Sequence, residues 1–344
     1  MNKKRKSVLL IYTGGTIGMI QDVKSGELKP FDFSSLSEQI PELSKFNLDL
    51  NAVTFNQPID SSDMHPKNWI QLAEIIKDNY NKHTGFVILH GSDTMAFTAS
   101  ALSFMLENLA KPVILTGSQL PMGIIRTDGK ENLITAIEIA SATHKNGDPV
   151  VPEVCIYFEY RLYRGNRTFK YSSKDFDAFK SPNYSELAEA GVEINYNLSA
   201  INKLPQKKLK VHLGLENDVA VLKLFPGISK KITESVLLTP GIKAVVLETF
   251  GAGNCLTEPW FTSLIKKVID KNIIVLNITQ CKEGRVIQGM YQTSTHLQKA
   301  GVIPGADMTF EASITKLMFL LGQNFSIKKT KSLLVKNLRG ELSE

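Results

Sequence analysis

The chain has 344 residues, is 43% hydrophobic and 22% charged, and carries a formal net charge of +6. These values are ordinary for a globular protein, and the length suggests two domains or one large one. No apolar run approaches the roughly 20 residues of a membrane span, so we expect no membrane partner.

Strand-like and helix-like segments alternate along the first half of the chain. Helices are predicted over residues 66–81, 95–109 and 128–144, and buried strands over residues 8–11, 86–89, 113–115 and 154–158. Such alternation is typical of an α/β domain.

A second alternating series follows residue 208. Strands are predicted over residues 219–224, 244–249 and 273–278, and helices over residues 233–238 and 259–270 and near residues 295 and 312. Residues 188–210, between the two series, are poor in aromatic side chains and have the character of a linker. We therefore predict an α/β protein with a larger N-terminal α/β domain (residues 1–190), a linker (residues 191–212) and a smaller C-terminal α/β domain (residues 213–344).

Cysteine, histidine and lysine patterns limit the kinds of partner. Cys155, Cys255 and Cys281 are far apart and form no C-x-x-C pair, so we expect reduced thiols in a cytoplasmic protein. The six histidines show no metal-ligand spacing, and no metal or other cofactor is expected. The basic run Lys3-Lys4-Arg5-Lys6 is interpreted as a solvated tail, with a nucleic-acid-binding arm as the alternative. Because no zinc-finger spacing supports that alternative, we expect no nucleic-acid partner.

Two glycine-containing turns place hydroxyl residues at the ends of predicted strands. The first reads Tyr12-Thr13-Gly14-Gly15-Thr16-Ile17-Gly18, and the second reads His90-Gly91-Ser92-Asp93-Thr94-Met95. In open α/β sheets, ligands bind at the carboxyl ends of the strands. Two hydroxyls at one such edge, one of them beside a carboxylate, indicate a nucleophilic site rather than a phosphate cradle.

These blocks resemble the paired signatures of the L-asparaginases, whose second block usually reads H-G-T-D-T. Further blocks resemble the type I, cytoplasmic bacterial branch: Asp60-Ser61-Ser62-Asp63-Met64, Thr116-Gly117-Ser118-Gln119, Arg161-Leu162-Tyr163-Arg164-Gly165-Asn166-Arg167, Gly301-Val302-Ile303 and Asn337-Leu338-Arg339-Gly340-Glu341-Leu342. The resemblance implies hydrolysis of L-asparagine to L-aspartate and ammonia. It also implies a homodimer or homotetramer in which a neighbouring C-terminal domain helps to build each site.

Amide hydrolysis needs a nucleophile, a proton shuttle to the leaving ammonia and an oxyanion site. By resemblance, Thr16 is the nucleophile that forms an acyl-enzyme, with direct attack by water as the competing mechanism. Ser92, Asp93 and Lys170 are expected to relay protons by the same resemblance. The residues expected to bind substrate are Asp60, Ser61, Ser62, Ser92, Asp93 and Ser118, with Asp93 on the α-ammonium group and Ser61 and Ser62 on the α-carboxylate.

Several of these residues have structural alternatives. Thr16 could cap a helix, and Ser61 and Ser62 could cap the helix that follows Met64. The sequence neighbours of Lys170 alone favour a surface lysine. His90, at a strand end, is interpreted as a structural hydrogen-bonding residue rather than a base.

Two departures from the family pattern affect the predicted site. Ser92 stands where threonine is usual, which keeps the hydroxyl but leaves its χ1 angle less restricted. The family also has a tyrosine on the lid that follows the first threonine. Residues 17–33 contain none, and Glu27 occupies the nearby position.

A third departure concerns regulation. Bacterial type I enzymes can bind a second asparagine as effector, with a threonine just before the lysine and an arginine before G-x-G-N. Here those positions are Phe169 and Glu248, although Asn254, Thr279 and Cys281 match. We therefore expect no effector response to asparagine.

The sequence disfavours three alternatives to an amidohydrolase. A nucleotide-binding module is disfavoured because the first strand is not followed by G-x-G-x-x-G and the chain has no G-K-[ST]. A non-catalytic amino-acid sensor is disfavoured by the retention of Thr16, Asp93 and Lys170 together. An amidotransferase subunit acting on misacylated tRNA would need an N-terminal extension, whereas the first motif begins at Tyr12.

Overall fold

The structure is a computed structural model that describes residues 5–21, 28–30, 40–289 and 292–343. It divides into two compact units, Met1–Val211 and His212–Glu344. Lys3 and Lys4 of the basic run, and Glu27 at the expected lid, lie outside the described residues. No helix in the described ranges is both long enough and apolar enough to cross a membrane.

The first unit is built on one large sheet with helices beside it. Its strands are, in chain order, β1 (Lys6–Tyr12), β2 (Met19–Gln21), β3 (Leu28–Pro30), β4 (Leu48–Thr54), β5 (Gly85–Leu89), β6 (Leu106–Glu107), β7 (Val113–Thr116), β8 (Val154–Phe158), β9 (Arg161–Arg164), β10 (Phe169–Lys170), β11 (Phe179–Lys180), β12 (Ala188–Ala190), β13 (Ile194–Tyr196) and β14 (Lys210–Val211). Its α-helices are α1 (Pro66–Asn79), α2 (Met95–Met105) and α3 (Gly129–Ser141).

Eight of these strands form the large sheet, in the order β13-β12-β9-β8-β7-β5-β1-β4. The pairings from β8 through β7, β5 and β1 to β4 are all parallel, and those of β8 with β9, β9 with β12 and β12 with β13 are antiparallel. Every residue of β5, β7 and β8 is buried, which is the pattern of parallel strands covered on both faces. The predicted strands of this half are confirmed.

The three predicted helices of this unit are also confirmed, but each ends earlier than predicted. Helix α2 stops at Met105 because the next residues, Leu106 and Glu107, pair as β6 with Lys210 and Val211 of β14. Helix α1 begins at Pro66, where the His65 side chain accepts from Lys67 N and the His65 N–H donates to Asn68 Oδ1.

The second unit has a smaller, wholly parallel sheet. Its strands are β15 (Val219–Lys223), β16 (Ala244–Thr249), β17 (Ile274–Thr279) and β18 (Ile303–Pro304), in the order β15-β16-β17-β18. Its helices are α4 (Lys230–Leu237), α5 (Pro259–Asp270), α6 (Gln292–Ala300), α7 (Phe310–Gly322) and α8 (Ile327–Leu334). Strand β18 and helix α8 were not predicted, whereas the three strands and four helices that were predicted for this half are confirmed. The two-part α/β architecture predicted from the sequence is therefore correct.

The predicted linker range contains ordered structure. Strands β13 and β14 lie within residues 191–212 and pair inside the first unit. The boundary between the compact units, at residues 211–212, falls inside that range. Domain limits at residues 190 and 213 stay a prediction.

The second unit has a buried ion pair near residue 341. Lys316 of α7 and Glu341 are fully buried, with Nζ and Oε1 2.5 Å apart. Lys316 Nζ also donates to the carbonyls of Leu334 and Lys336, and burial lowers its pKa. The Glu341 carboxylate accepts from the backbone N–H groups of Leu338 and Arg339, so the N-L-R-G-E-L block is a packed part of this unit.

Candidate active site

Four loops of the first unit leave neighbouring parallel strands at the same edge of the large sheet. They follow β4, β1, β5 and β7, and they carry Ser61, Thr16, Ser92 and Ser118 respectively. Because these strands are parallel neighbours, their carboxyl ends face the same way, toward the usual ligand-binding edge of an open α/β sheet.

Thr16 begins a short 3-10 turn, Thr16–Gly18, directly after the two glycines of its motif. Tyr12 lies under this turn. Its buried hydroxyl is 3.4 Å from the Gly15 carbonyl and 3.3 Å from the Gly18 carbonyl, and burial raises its pKa to about 12. The turn has Gly15 at its N-cap and no side-chain cap. Thr16 is partly exposed, and its hydroxyl has no hydrogen-bond partner among the described residues, so it can meet a ligand.

The loops that carry Thr16 and Ser92 are in backbone contact. A Cβ built on Gly15 would lie 2.5 Å from Gly91 Cα, so only glycine fits there. Thr13 strengthens the junction, since both its N–H and its hydroxyl donate to the Leu89 carbonyl, each at 3.0 Å. The two motifs identified in the sequence therefore form one structural unit.

Ser61 and Ser62 belong to a 3-10 turn that Asp60 caps. Asp60 Oδ1 accepts from Ser62 N at 2.9 Å and from Ser62 Oγ at 2.8 Å, and these hydrogen bonds lower the pKa of the Asp60 carboxyl group. Ser61 is buried, and its carbonyl accepts from Thr94 Oγ1 at 2.6 Å. Because His65 caps α1, the alternative in which Ser61 and Ser62 cap that helix is wrong.

Lys170 joins the Ser92 loop through its side chain. Its Nζ donates to Ser92 Oγ at 2.8 Å and to Asp93 Oδ1 at 2.6 Å. The Lys170 side chain is only 16% exposed, whereas that of Asp93 is 64% exposed and open to a further cation. Lys170 is therefore directed into a polar cluster and is not a free surface lysine. An amine in contact with a hydroxyl and a carboxylate can move protons between them.

Ser118 lies on the loop after β7 and is only 3% exposed. Its hydroxyl has no hydrogen-bond partner within the described part of the chain. The N–H groups of the next two residues, Gln119 and Leu120, donate to the buried Asp128 carboxylate. Asp128 is a site residue that the sequence motifs did not predict; it lies at the start of the third helix, but its side chain turns back to this loop.

His90 is fully buried between two partners. Its Nδ1 lies 2.7 Å from the Gly91 carbonyl and its Nε2 lies 2.8 Å from Thr98 Oγ1. Since a carbonyl only accepts, Nδ1 carries the proton, and Nε2 accepts from the Thr98 hydroxyl. Burial lowers the pKa of His90 to about 4. His90 is thus a neutral structural residue at neutral pH.

The positions at which the bacterial type I enzymes bind an effector fall in both units of this chain. Phe169 is 6% exposed and packs edge-on against the Tyr171 ring. The Glu248 side chain is 14% exposed and lies 4.0 Å from Lys223 Nζ. Thr279 Oγ1 donates to the Gly251 carbonyl at 2.6 Å and accepts from Cys281 N at 3.0 Å.

A threonine hydroxyl, an amine–hydroxyl–carboxylate cluster and three further serines at one sheet edge form a site suited to nucleophilic and acid–base chemistry. Two family models match the chain: "Asparaginase, N-terminal" over residues 7–202 and "Glutaminase/Asparaginase C-terminal domain" over residues 218–334. The chain therefore belongs to the asparaginase family.

Individual relatives agree with this assignment. The chain is 42% identical to L-asparaginase 1 of Escherichia coli K12, over 99% of both chains. It is 40% identical to the 60 kDa lysophospholipase of Mus musculus, with 98% of this chain covered but 63% of that protein. The crystal structure of L-asparaginase I from Vibrio cholerae superposes with a TM-score of 0.88 at 40% identity, over 99% of this chain and 100% of that chain.

Proposed function

We propose that this protein hydrolyses L-asparagine to L-aspartate and ammonia, with Thr16 as the nucleophile. The observation that carries the proposal is the contact of Lys170 Nζ with both Ser92 Oγ and Asp93 Oδ1, on the sheet edge that also holds Thr16. The full-length similarity to L-asparaginase 1 of Escherichia coli supports the choice of substrate.

In the proposed first step, Thr16 Oγ attacks the side-chain amide carbon of asparagine. The C–N bond breaks, and ammonia leaves with the proton that the Thr16 hydroxyl gives up. Ser92 and Lys170, which are in hydrogen-bond contact, pass that proton toward the leaving nitrogen. Water then hydrolyses the Thr16 ester to give aspartate. Direct attack by water on the amide is the competing mechanism.

The charges and hydroxyls of the site suit a free amino acid. One carboxylate oxygen of Asp93 accepts a hydrogen bond from Lys170, and the side chain is exposed enough to bind the α-ammonium group of the substrate as well. Ser61 and Ser62, oriented by Asp60, are assigned to the α-carboxylate. Ser118 offers a buried hydroxyl without a described partner, which we assign to the substrate.

The test is ammonia release from asparagine and glutamine by the purified protein. Because one relative is named a lysophospholipase, fatty-acid release from a lysophospholipid is measured in parallel. Thr16→Val should lower asparaginase kcat by several orders of magnitude, as loss of a covalent nucleophile does. Thr239→Val, at an exposed threonine of the second unit, is the control and should retain activity.

One result would exclude Thr16 as the nucleophile: retention of more than about a tenth of kcat by Thr16→Val, an effect below about 1.4 kcal/mol. Cleavage of the lysophospholipid without release of ammonia from asparagine would reject asparagine as the substrate. Lys170→Met tests the relay separately and should be severely impaired.

We further infer a cytoplasmic homodimer or homotetramer with domains over residues 1–190 and 213–344. The three cysteines, all described and all free, are in keeping with a reducing compartment. Light scattering of the purified protein gives the number of subunits, and a monomeric active enzyme would reject the oligomer.

A further inference from the structure

Behind the candidate site, a chain of hydrogen bonds joins the Ser118 loop to the hairpin that carries Lys170. We call it the Asp128 brace; its members are Asp128, Asn132, Gln119 and Asp175. It starts at Asp128, which is 6% exposed and whose carboxylate accepts from Gln119 N at 2.9 Å and from Leu120 N at 3.1 Å.

Asn132, one turn further along α3, fixes the same loop from its other end. Its Nδ2 donates to the Gly117 carbonyl at 3.0 Å and to Asp128 Oδ2 at 3.3 Å. Its Oδ1 accepts from Glu159 N at 3.1 Å. Residues 117–120 are therefore held by two buried side chains of one helix terminus, which makes this loop a rigid support.

From this support the Gln119 side chain reaches the Lys170 hairpin. Gln119 Nε2 donates to the Asp175 carbonyl at 2.8 Å. Asp175 lies in the turn between β10 and β11, and that turn is closed by Ser172, whose Oγ donates to Asp175 Oδ2 at 2.8 Å. Lys170 is the last residue of β10, five positions before Asp175.

The hairpin needs such a tie because it is very small. β10 and β11 have two residues each, and within the described part of the chain each pairs with the other alone. An isolated two-stranded hairpin is marginally stable in water. The turn beyond Lys170 is largely exposed, with Tyr171 at 65%. Besides the short ladder and the buried side chains of Phe169 and Phe179, the position of the Lys170 amine depends on where this turn is fastened.

We propose that Gln119 is a positioning residue for Lys170, acting through the Asp175 carbonyl and held in place by Asp128. The inference rests on the proposed function of Lys170 as a proton relay. Loss of the Gln119 hydrogen bond lets the hairpin shift, and the amine then leaves its position between Ser92 and Asp93. A misplacement of about 1 Å at a reacting group can cost about a hundredfold in rate.

The test variant is Gln119→Met, which keeps the length of the side chain and removes its N–H donor. We expect kcat to fall about tenfold to a hundredfold while KM for asparagine changes little. Gln119→Lys restores an N–H donor of similar reach and should recover most of kcat. Gln119→Glu has the shape of glutamine but carries only hydrogen-bond acceptors, so its kcat should be as low as that of Gln119→Met. It serves as the test variant if Gln119→Met folds poorly.

Gln323→Met is the matched control. The Gln323 amide also donates to a backbone carbonyl, that of Gly214 at 2.9 Å, but in the second unit. Gln119→Met loses one hydrogen bond, whereas Gln323→Met loses those to the Gly214 and Phe319 carbonyls and the one with His212 Nδ1, so thermal unfolding should show at least as large a loss of stability for Gln323→Met. Only Gln119→Met should lose kcat.

A double-mutant cycle separates this inference from the proposed function. In a Lys170→Met background, Gln119→Met should cause no further loss if it acts through Lys170. Three results would overturn the brace: a Gln119→Met kcat close to that of the wild type, a rise in KM alone, or failure of Gln119→Lys to recover activity. Near-normal activity of Lys170→Met would instead reject the relay itself.

Discussion

Gly15 and Gly91 meet backbone to backbone, and a Cβ on Gly15 would lie 2.5 Å from Gly91 Cα. Gly15 also has a φ of 88°, a conformation that L side chains rarely adopt. The contact sets the spacing between the turn of Thr16 and the turn of Ser92. The two motifs are 70 or more positions apart in the sequence, and they can touch because Gly15 has no side-chain methyl group.

Gly15→Ala should therefore impair both folding and activity. The Gly15 backbone, with φ 88° and ψ 169°, lies in a region that is essentially confined to glycine and costs another residue about 1–3 kcal/mol. The clash with Gly91 adds to this cost, and kcat should fall as Thr16 is displaced. Gly147→Ala is the matched control, because Gly147 has a φ of 94° but nothing within 4 Å of a built Cβ. Urea unfolding and ammonia release measure the two effects. Equal behaviour of the two alanine variants would show that the contact does not matter.

Ser92→Thr and Ser92→Ala should have opposite outcomes. Threonine restores the residue usual in the family and keeps the hydroxyl 2.8 Å from Lys170 Nζ, so activity should be equal or higher. Alanine removes the hydroxyl, and loss of a positioned proton-transfer group typically costs about 10²–10⁴-fold in rate. Steady-state kinetics with asparagine decide the matter. An active Ser92→Ala enzyme would remove Ser92 from the relay.

His90 should make the protein less stable in mild acid. Its pKa is lowered from 6.5 to about 4 by burial, so below pH 6.5 the unfolded chain takes up a proton that the folded chain does not. Stability is then lost as the pH falls from 6.5 toward 4, by about 3 kcal/mol at most. Above pH 6.5 this group has no effect.

Urea unfolding at a series of pH values measures this dependence, and His90→Asn provides the comparison. Asparagine can still donate to the Gly91 carbonyl but does not titrate, so its curve should be flatter between pH 4 and 6.5. An identical pH dependence in both proteins would contradict the assignment of His90 as a buried neutral residue.

The initial rate should depend hyperbolically on asparagine concentration. Phe169 offers no hydrogen bond to an effector, and Glu248 would repel its carboxylate; leaving a polar ligand group unpaired costs about 1–3 kcal/mol. Rates measured from micromolar to tens of millimolar asparagine should fit a Hill coefficient of one. A clearly higher coefficient, abolished by substitution at Asn254 or Cys281, would show a working effector site.

Local sequence predicted most of the fold because the central strands are largely apolar. β5, β7 and β8 are buried throughout, and such runs stand out from their neighbours. The outer strand β4, Leu48–Thr54, mixes buried and exposed residues and was missed. The end of α2 was misjudged because β6 pairs with β14, about a hundred positions away, and no local pattern carries that information.

The candidate site was predictable to a similar extent. The motifs gave Thr16, Ser92 and Asp93 directly, since each lies beside a glycine turn that ends a strand. Lys170 came only from the family resemblance, because its partners are 77 and 78 positions away. The Asp128 brace was missed for the same reason, as its hydrogen bonds join residues that share no local motif.

The separation of the buried strands from the reacting loops bears on how the protein can evolve. β5, β7 and β8 make the fold rigid and carry none of the proposed reacting groups. Selection for hydrolysis of a different amide should therefore leave these strands unchanged. Accepted substitutions should gather in the loops after β4, β5 and β7, where side chains change without altering the core. The turn at Gly15 is the exception, since its backbone contact tolerates no added atom. New specificities should therefore arise around a fixed nucleophile.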